Sequence, residues 1–137
     1  MIALDTNVVS ELMRGSRADP RVVTWLRALT EQPVTTVIAR AEILGGIALL
    51  PGGRRRDELS RAADAAFGGL GICLPLTGQG AATYAEIVAA RRASGRPISG
   101  FDALIAAITL DAGASLATRN TDDFEGLGLV LVDPFTT

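Results

Sequence analysis

The chain of 137 residues contains no histidine and a single cysteine, Cys73. Without histidine, the sequence excludes Ser-His-Asp and Cys-His catalysis, zinc-histidine sites and histidine-based ribonuclease chemistry. One cysteine cannot form an internal disulfide framework or a cysteine-based zinc site, and Cys73 is most simply a buried strand residue. Any chemistry must therefore come from carboxylates, arginines and hydroxyls.

Lysine is absent as well, so all 13 basic residues are arginines, against 15 acidic residues and a formal net charge of −2. This balance gives no overall attraction to nucleic acid, and any such contact must be local. The uncharged apolar run at residues 103–110 is far too short to cross a bilayer, and the N-terminus lacks the pattern of a signal peptide. We therefore expect a cytoplasmic protein with no membrane association.

Short β-like runs alternate with longer helical segments along the chain. This alternation favours an α/β fold in which helices cover a doubly wound, mostly parallel sheet, and the length fits one domain over residues 1–137. The sequence predicts about five strands, at residues 2–4, 33–38, 72–74, 115–117 and 129–132. It also predicts about six helices, at residues 6–14, 20–30, 39–50, 54–67, 77–95 and 100–112.

Acidic residues fall at one edge of this predicted sheet. Asp5 ends the first strand, and Glu42 and Asp102 lie in the first turns of the helices that follow strand two and precede strand four. Asp122 and Asp123 come after strand four. In a doubly wound sheet these positions converge on the crevice at the topological switch point.

Clustered carboxylates repel one another, and a hard divalent cation bound through oxygen relieves that repulsion. Mg²⁺ or Mn²⁺ is expected, because no nitrogen or sulfur ligand is available. Asp102 and Glu42 both fall near predicted helix N-termini, where the helix dipole favours the ionised carboxylate. One or two such ions would activate a water and neutralise a phosphodiester during in-line displacement. Each acid alone could instead be a helix cap, a polar turn or a solvated helix residue.

Ordered segments of the chain resemble a known family. They are IALDTNVVSE at residues 2–11, AEILG at 41–45, DALIAA at 102–107, ATRNTDDF at 117–124 and VDPF at 132–135. In this order and spacing they resemble the PIN-domain ribonucleases, specifically the VapC-type toxins of bacterial toxin–antitoxin pairs, of the FitB-like branch. The resemblance covers essentially the whole chain.

The resemblance implies a metal-dependent endoribonuclease that acts on RNA and is held in check by a cognate antitoxin protein. We also expect a homodimer formed through apolar helices. By position, the family's acidic core is Asp5, Glu42 and Asp102, with Asp5 and Asp102 the most direct ligands of Mg²⁺, for which Mn²⁺ could substitute. For the fourth acid we favour Asp123, with Asn120, where some relatives have an aspartate, as a neutral neighbour.

Three other residues of the family pattern would support this site. Thr6 and Asn7 would help to hold it, and Thr118 would orient an acid or a water. Outside the pattern, phosphate contact is plausible at the arginines that precede the Asp102 helix, which are Arg91, Arg92 and Arg96.

Two other classes of function stay open at this point. A phospho-acceptor receiver domain also has an acidic Mg²⁺ pocket, but it needs a further acidic pair and a lysine, and the chain has no lysine. A catalytically weak or inactive PIN-fold binding or regulatory module would bind a partner without metal-dependent loss of RNA. Asn120 is the only feature that supports it. Within the same nuclease chemistry, a DNA-directed flap nuclease is a nearer alternative, but its usual arch and longer series of acids are missing from this short chain.

Overall fold

The structure, a computed structural model, describes residues 1–136 and contains one five-stranded sheet. The strands are β1 (Ile2–Leu4), β2 (Val34–Thr36), β3 (Cys73–Leu74), β4 (Ser115–Ala117) and β5 (Leu131–Val132). They lie in the order β3-β2-β1-β4-β5, and every pairing is parallel. The direction of strand succession reverses between β1 and β4, which makes the carboxyl ends of these two strands the switch point.

Six α-helices connect and cover the strands. They are α1 (Thr6–Leu12), α2 (Pro20–Arg27), α3 (Val37–Ala48), α4 (Arg54–Gly68), α5 (Gly78–Ala93) and α6 (Gly100–Asp111). Two short 3-10 turns, Gly15–Arg17 and Thr121–Phe124, were not predicted. The predicted α/β class with a parallel sheet of five strands is confirmed. Among residues 1–136, no helix is both long and apolar enough to span a membrane.

The side chains of β1 alternate between two cores, one on each face of the sheet. Ala3 packs with buried residues of α5 and α6, such as Ile87 and Ile105. Ile2 and Leu4 belong to the opposite core, which is built from apolar side chains of α1, α2, α3 and α4. Because both faces of β1 are buried, the sheet can expose its central strands only at their ends. The carboxyl ends are where the acids were expected.

The second strand is shorter than predicted. The β-branched Val37 and Ile38 favoured a strand through residue 38, but they form the first turn of α3. The buried Thr36 caps this helix by accepting a hydrogen bond from the backbone N–H of Ala39 at 3.1 Å, which ends the strand. Glu42 therefore lies in the second helical turn, and the expected effect of the helix dipole does not extend to it.

Several element ends also differ from the sequence prediction. Helix α1 ends at Leu12 and α2 at Arg27, each a few residues before the predicted end. Cys73 is half-buried where a buried residue was expected, because β3 lies at the edge of the sheet with a strand on one side only.

The cap at the start of α3 gives a stability prediction. Thr36→Ala removes the side-chain acceptor for the Ala39 N–H, and we expect the free energy of unfolding to fall by about 1–2 kcal/mol. Urea denaturation followed by circular dichroism measures this loss. The control is Thr24→Ala, an exposed threonine of α2, and equal losses in the two variants would contradict the assignment of Thr36 as a cap.

Candidate metal centre

Asp5 lies directly after β1, and its carboxylate is held by donors from two strand ends. Its Oδ1 accepts a hydrogen bond from the backbone N–H of Thr6 at 2.8 Å. Its Oδ2 accepts one from the Thr118 hydroxyl at 2.7 Å and a longer one from the Asn7 side-chain amide at 3.4 Å. Only 4% of Asp5 is exposed, so this carboxylate is a fixed, nearly desolvated group at the switch point.

The pKa of Asp5 is raised above its ordinary value, and burial is the main cause. The hydrogen bonds from Thr118 and Thr6 oppose this rise, since they stabilise the ionised carboxylate. The negative charges of Asp102 and Glu42 add to it. The acids at this edge are therefore close enough to repel one another.

Asp102 lies in the first turn of α6, a helix that Ser99 caps by accepting the Asp102 backbone N–H at 3.2 Å. The pKa of its half-buried carboxyl group is raised, first by burial and then by the charge of Asp123, while a hydrogen bond with Ser99 lowers it. Asp102 therefore interacts with two other acids, because its charge raises the pKa of Asp5 and the charge of Asp123 raises the pKa of Asp102.

Glu42 approaches the site from α3. Its Oε1 accepts a hydrogen bond from the Thr6 hydroxyl at 2.9 Å. Thr6 therefore contacts two of the acids, Asp5 through its backbone and Glu42 through its side chain. Pairwise charge interactions therefore link Asp5 with Glu42 and Asp102, and Asp102 with Asp123, at one end of the sheet.

Asp122 and Asp123 are exposed in the 3-10 turn after β4. Together with Asp102 and Ser99 they line a recess of about 470 Å³. A recess of about 530 Å³ between α1 and α4 contains none of the predicted site residues. The recess of about 470 Å³, called the acidic recess below, thus contains Asp102, Asp122 and Asp123. Glu42 and Thr6 line a separate recess of about 290 Å³, and Asp5 lines neither of these two.

Thr118 and Asn7, two of the residues predicted to support the site, form hydrogen bonds around Asp5. Thr118 is fully buried, and its hydroxyl oxygen also accepts the backbone N–H of Asn120 at 3.1 Å. The side chain of Asn7 reaches across to β4, donating to the Thr118 hydroxyl at 3.4 Å and accepting the backbone N–H of Arg119 at 3.1 Å. These bonds join the strand ends on either side of the switch point.

The three arginines suggested for phosphate contact have different environments. Arg92 and Arg96 are exposed, and Arg96 lines the acidic recess. Arg91 lines the same recess but only 7% of the residue is exposed, and phosphate contact there stays a prediction. Its guanidinium donates to backbone carbonyls of Asp123 and Glu125, and no sequence signal marked this interior role.

The carboxylate oxygens at this edge of the sheet are of the ligand type that suits a magnesium ion. Within residues 1–136, no three acidic, histidine or cysteine side chains are arranged to enclose a metal ion on their own. Mg²⁺ rarely needs such an enclosure, because it keeps several waters and binds through one or two carboxylates. Asp5 and Asp102 offer carboxylate oxygens whose pKa is raised mainly by burial, and repulsion from neighbouring acids adds to that rise. A hard cation would relieve that repulsion.

Comparison with known proteins identifies the fold family. A family model described as PIN domain matches residues 2–128. The chain belongs to the PIN-domain family. This confirms the resemblance drawn from the ordered motifs.

Three relatives match this PIN domain over 98% of its length. The plasmid stability protein StbB from Pseudomonas syringae pv. tomato is 38% identical, and 99% of its length is covered. The VapC ribonuclease Y4jK from Sinorhizobium fredii is 36% identical, with 98% of its length covered. The toxin FitB from Neisseria gonorrhoeae is 34% identical, with 99% covered. These names agree with the predicted likeness to VapC-type toxins of the FitB-like branch.

A solved structure agrees with these sequence relatives. The crystal structure of FitAcB from Neisseria gonorrhoeae superposes with a TM-score of 0.84 at 33% identity, and each chain is covered over 100% of its length.

The raised pKa of Asp5 predicts the pH dependence of stability. An ionised carboxylate whose folded pKa lies above its unfolded pKa lowers stability at neutral pH, and protonation restores that stability as the pH falls. We therefore expect Asp5→Asn to be more stable than the wild type at pH 7 in EDTA. The difference should shrink as the pH falls through the raised pKa towards the ordinary range of aspartate.

Urea denaturation of both proteins between pH 7 and pH 4 measures this effect. Asp64→Asn, at an exposed position of α4, is the matched control for the loss of one negative charge. A wild type that is the more stable protein at pH 7 would contradict the assignment of Asp5 as a destabilised, buried carboxylate.

Proposed function

We propose that this PIN domain is the toxin of a VapBC-type toxin–antitoxin pair and that it acts as an Mg²⁺-dependent endoribonuclease. The observation that carries the proposal is the buried carboxylate of Asp5. The Thr118 hydroxyl orients this carboxylate, and the charges of Asp102 and Glu42 act on it. Support also comes from the relatives, since one is named a VapC ribonuclease and another a toxin, and both align along nearly the whole chain.

In this proposal Asp5 and Asp102 hold the ion, and Glu42 and Asp123 complete the negative field around it. Mn²⁺ would be accepted in place of Mg²⁺, because it also prefers oxygen ligands. Asp5 and Asp102 would thereby hold a Lewis acid, which when bound would supply the chemistry for activating a water and neutralising charge on the phosphodiester. The chain has no histidine, so proton transfer also depends on carboxylates or on solvent.

Thr118 and Thr6 favour the ionised form of Asp5, and the Thr6 hydroxyl orients Glu42. The bonds from Thr118 and from the Thr6 backbone lower the pKa of Asp5 against the effect of burial. The Thr6 hydroxyl fixes Glu42 at 2.9 Å. A cation needs ligands at fixed positions, and these hydrogen bonds orient both carboxylates.

RNA contact is proposed at the rim of the acidic recess. Arg96 lines that recess and Arg92 is exposed on the last turn of α5, so both can reach phosphate oxygens from outside the acid cluster. Because the chain carries a net charge of −2, these local arginines must provide the attraction that the whole molecule lacks.

We further propose a cognate antitoxin protein as the regulatory partner and a homodimer as the assembled toxin. The antitoxin follows from the toxin assignment. A dimer through apolar helices is supported by α3, where the side chains of Val37 and Leu44 remain exposed two helical turns apart.

The nuclease assignment predicts that Asp5→Asn and Asp102→Asn each lower the rate of RNA cleavage by more than about 100-fold, because each removes a metal ligand. Purified variants are compared on structured RNAs with Mg²⁺, with Mn²⁺ and with EDTA. The wild type is expected to give discrete products that EDTA abolishes. Asp64→Asn again serves as the exposed-charge control and should cleave like the wild type.

Two outcomes contradict this assignment. Cleavage by Asp5→Asn at the wild-type rate would exclude the metal mechanism. A wild type that cleaves none of the RNAs, and whose induced expression leaves cell growth unchanged, would favour an inactive binding or regulatory module.

A second variant tests the orienting role of Thr118. Thr118→Val keeps the shape of the side chain but removes the hydroxyl that donates to Asp5, and we expect a fall in activity of about 10–100-fold. Thr109→Val is the matched control, because Thr109 is also fully buried while its hydroxyl bonds only the Ile105 carbonyl of its own helix. Equal activities of these two variants would contradict the role of the Thr118 hydroxyl.

A further inference from the structure

Arg91 is a largely buried arginine in the last turn of α5, and it lines the acidic recess. One terminal nitrogen of its guanidinium donates to the backbone carbonyls of Asp123 at 2.9 Å and Glu125 at 2.8 Å. The other donates to the carbonyl of Arg96 at 3.5 Å. A single side chain thus joins the 3-10 turn Thr121–Phe124 and its exit to the loop that leads into α6.

The surroundings of Arg91 make a purely space-filling role a poor explanation. Among residues 1–136, none of the ion pairs involves Arg91, although only 7% of the residue is exposed. Burying an arginine without a carboxylate partner is unfavourable unless its donors are satisfied. Here three backbone carbonyls accept hydrogen bonds from the guanidinium. The buried charge therefore holds segments of main chain in place and does not neutralise an acid.

The main chain that Arg91 holds carries one acid and leads to another. Asp123 lies within the 3-10 turn, and the loop after Arg96 ends at Ser99, the cap of the helix that carries Asp102. The two segments also contact each other directly, since Arg96 donates to the Asp122 carbonyl at 3.4 Å. Asp123 is close enough to Asp102 to raise the pKa of that carboxyl group.

We propose that Arg91 is a positioning residue that fixes Asp123 opposite Asp102 by bridging the backbone of the two segments that carry them. This inference rests on the proposed nuclease function. The planar guanidinium is suited to the task because it presents several donors at fixed angles, whereas a lysine ammonium would act as a single point.

A double-mutant cycle tests whether Arg91 acts through Asp123. Arg91→Met keeps the length and apolar volume of the side chain but removes every donor. We expect a fall in kcat of about 100-fold, the effect of a displacement near 1 Å in an active site, with KM changed less than about threefold. Asp123→Asn should lower kcat as well. The double variant should be no slower than Asp123→Asn alone, because the contribution of Arg91 is already lost there.

Further measurements separate positioning from loss of stability. Hydrogen exchange at the amides of residues 121–126 should become at least tenfold faster in Arg91→Met, while amides of β1 and β4 keep their protection. Arg91→Lys should recover part of the kcat, since it retains the charge and one donor group. It also keeps the test open if Arg91→Met does not fold. Arg61→Met, at an exposed position of α4, is the control and should match the wild type in every measurement.

The proposal is overturned if folded Arg91→Met or Arg91→Lys has the kcat and the exchange rates of the wild type. It is also overturned if the effects of Arg91→Met and Asp123→Asn on kcat multiply in the double variant. Mg²⁺ binding by calorimetry provides a readout besides activity, and we expect about tenfold weaker binding in Arg91→Met. If the wild type binds Mg²⁺ but cleaves no RNA, the proposed function fails, while the calorimetry and exchange data still decide the role of Arg91.

Discussion

The hydrogen bond from the Thr118 hydroxyl to Asp5, at 2.7 Å, connects the carboxyl ends of the two strands at the centre of the sheet. The parallel register pairs Leu4 with Ala117, so the next residue on each strand is a member of this bond. Burial favours the neutral form of Asp5, and the bond favours the ionised form. The balance between them sets the charge on the carboxylate around which Glu42 and Asp102 are arranged.

Without a bound cation, the repulsion between the acids at this edge destabilises the folded protein, and the rest of the fold compensates for this cost. Both faces of the sheet are covered by apolar cores, and burial of such surfaces is the dominant favourable term in folding. The repelling groups lie at chain positions where the backbone is fixed on several sides, by helix caps at Ser99 and Asp5 and by Arg91 behind the 3-10 turn. Local strain at a site supported by a stable scaffold is typical of functional centres.

The five strands and six helices could be predicted from the sequence, but several of their ends could not. Asp5 and Asp102 could be placed because strand ends and helix starts have local signals, such as a short polar residue before a helix. The helical state of Val37 and Ile38 could not be predicted, since their β-branched side chains favour a strand. The cap at Thr36 starts the helix before them. Arg91 bonds a carbonyl 32 residues away, and no local pattern in α5 encodes that tertiary contact.

The divalent cation proposed at the acidic carboxyl edge of the sheet can be located directly. The most direct measurement is anomalous diffraction from crystals grown with Mn²⁺, which locates the ion without reference to activity. We expect an anomalous peak in contact with carboxylate oxygens of Asp5 and Asp102. No peak at that edge at saturating Mn²⁺, or a peak bound only by other residues, would contradict it.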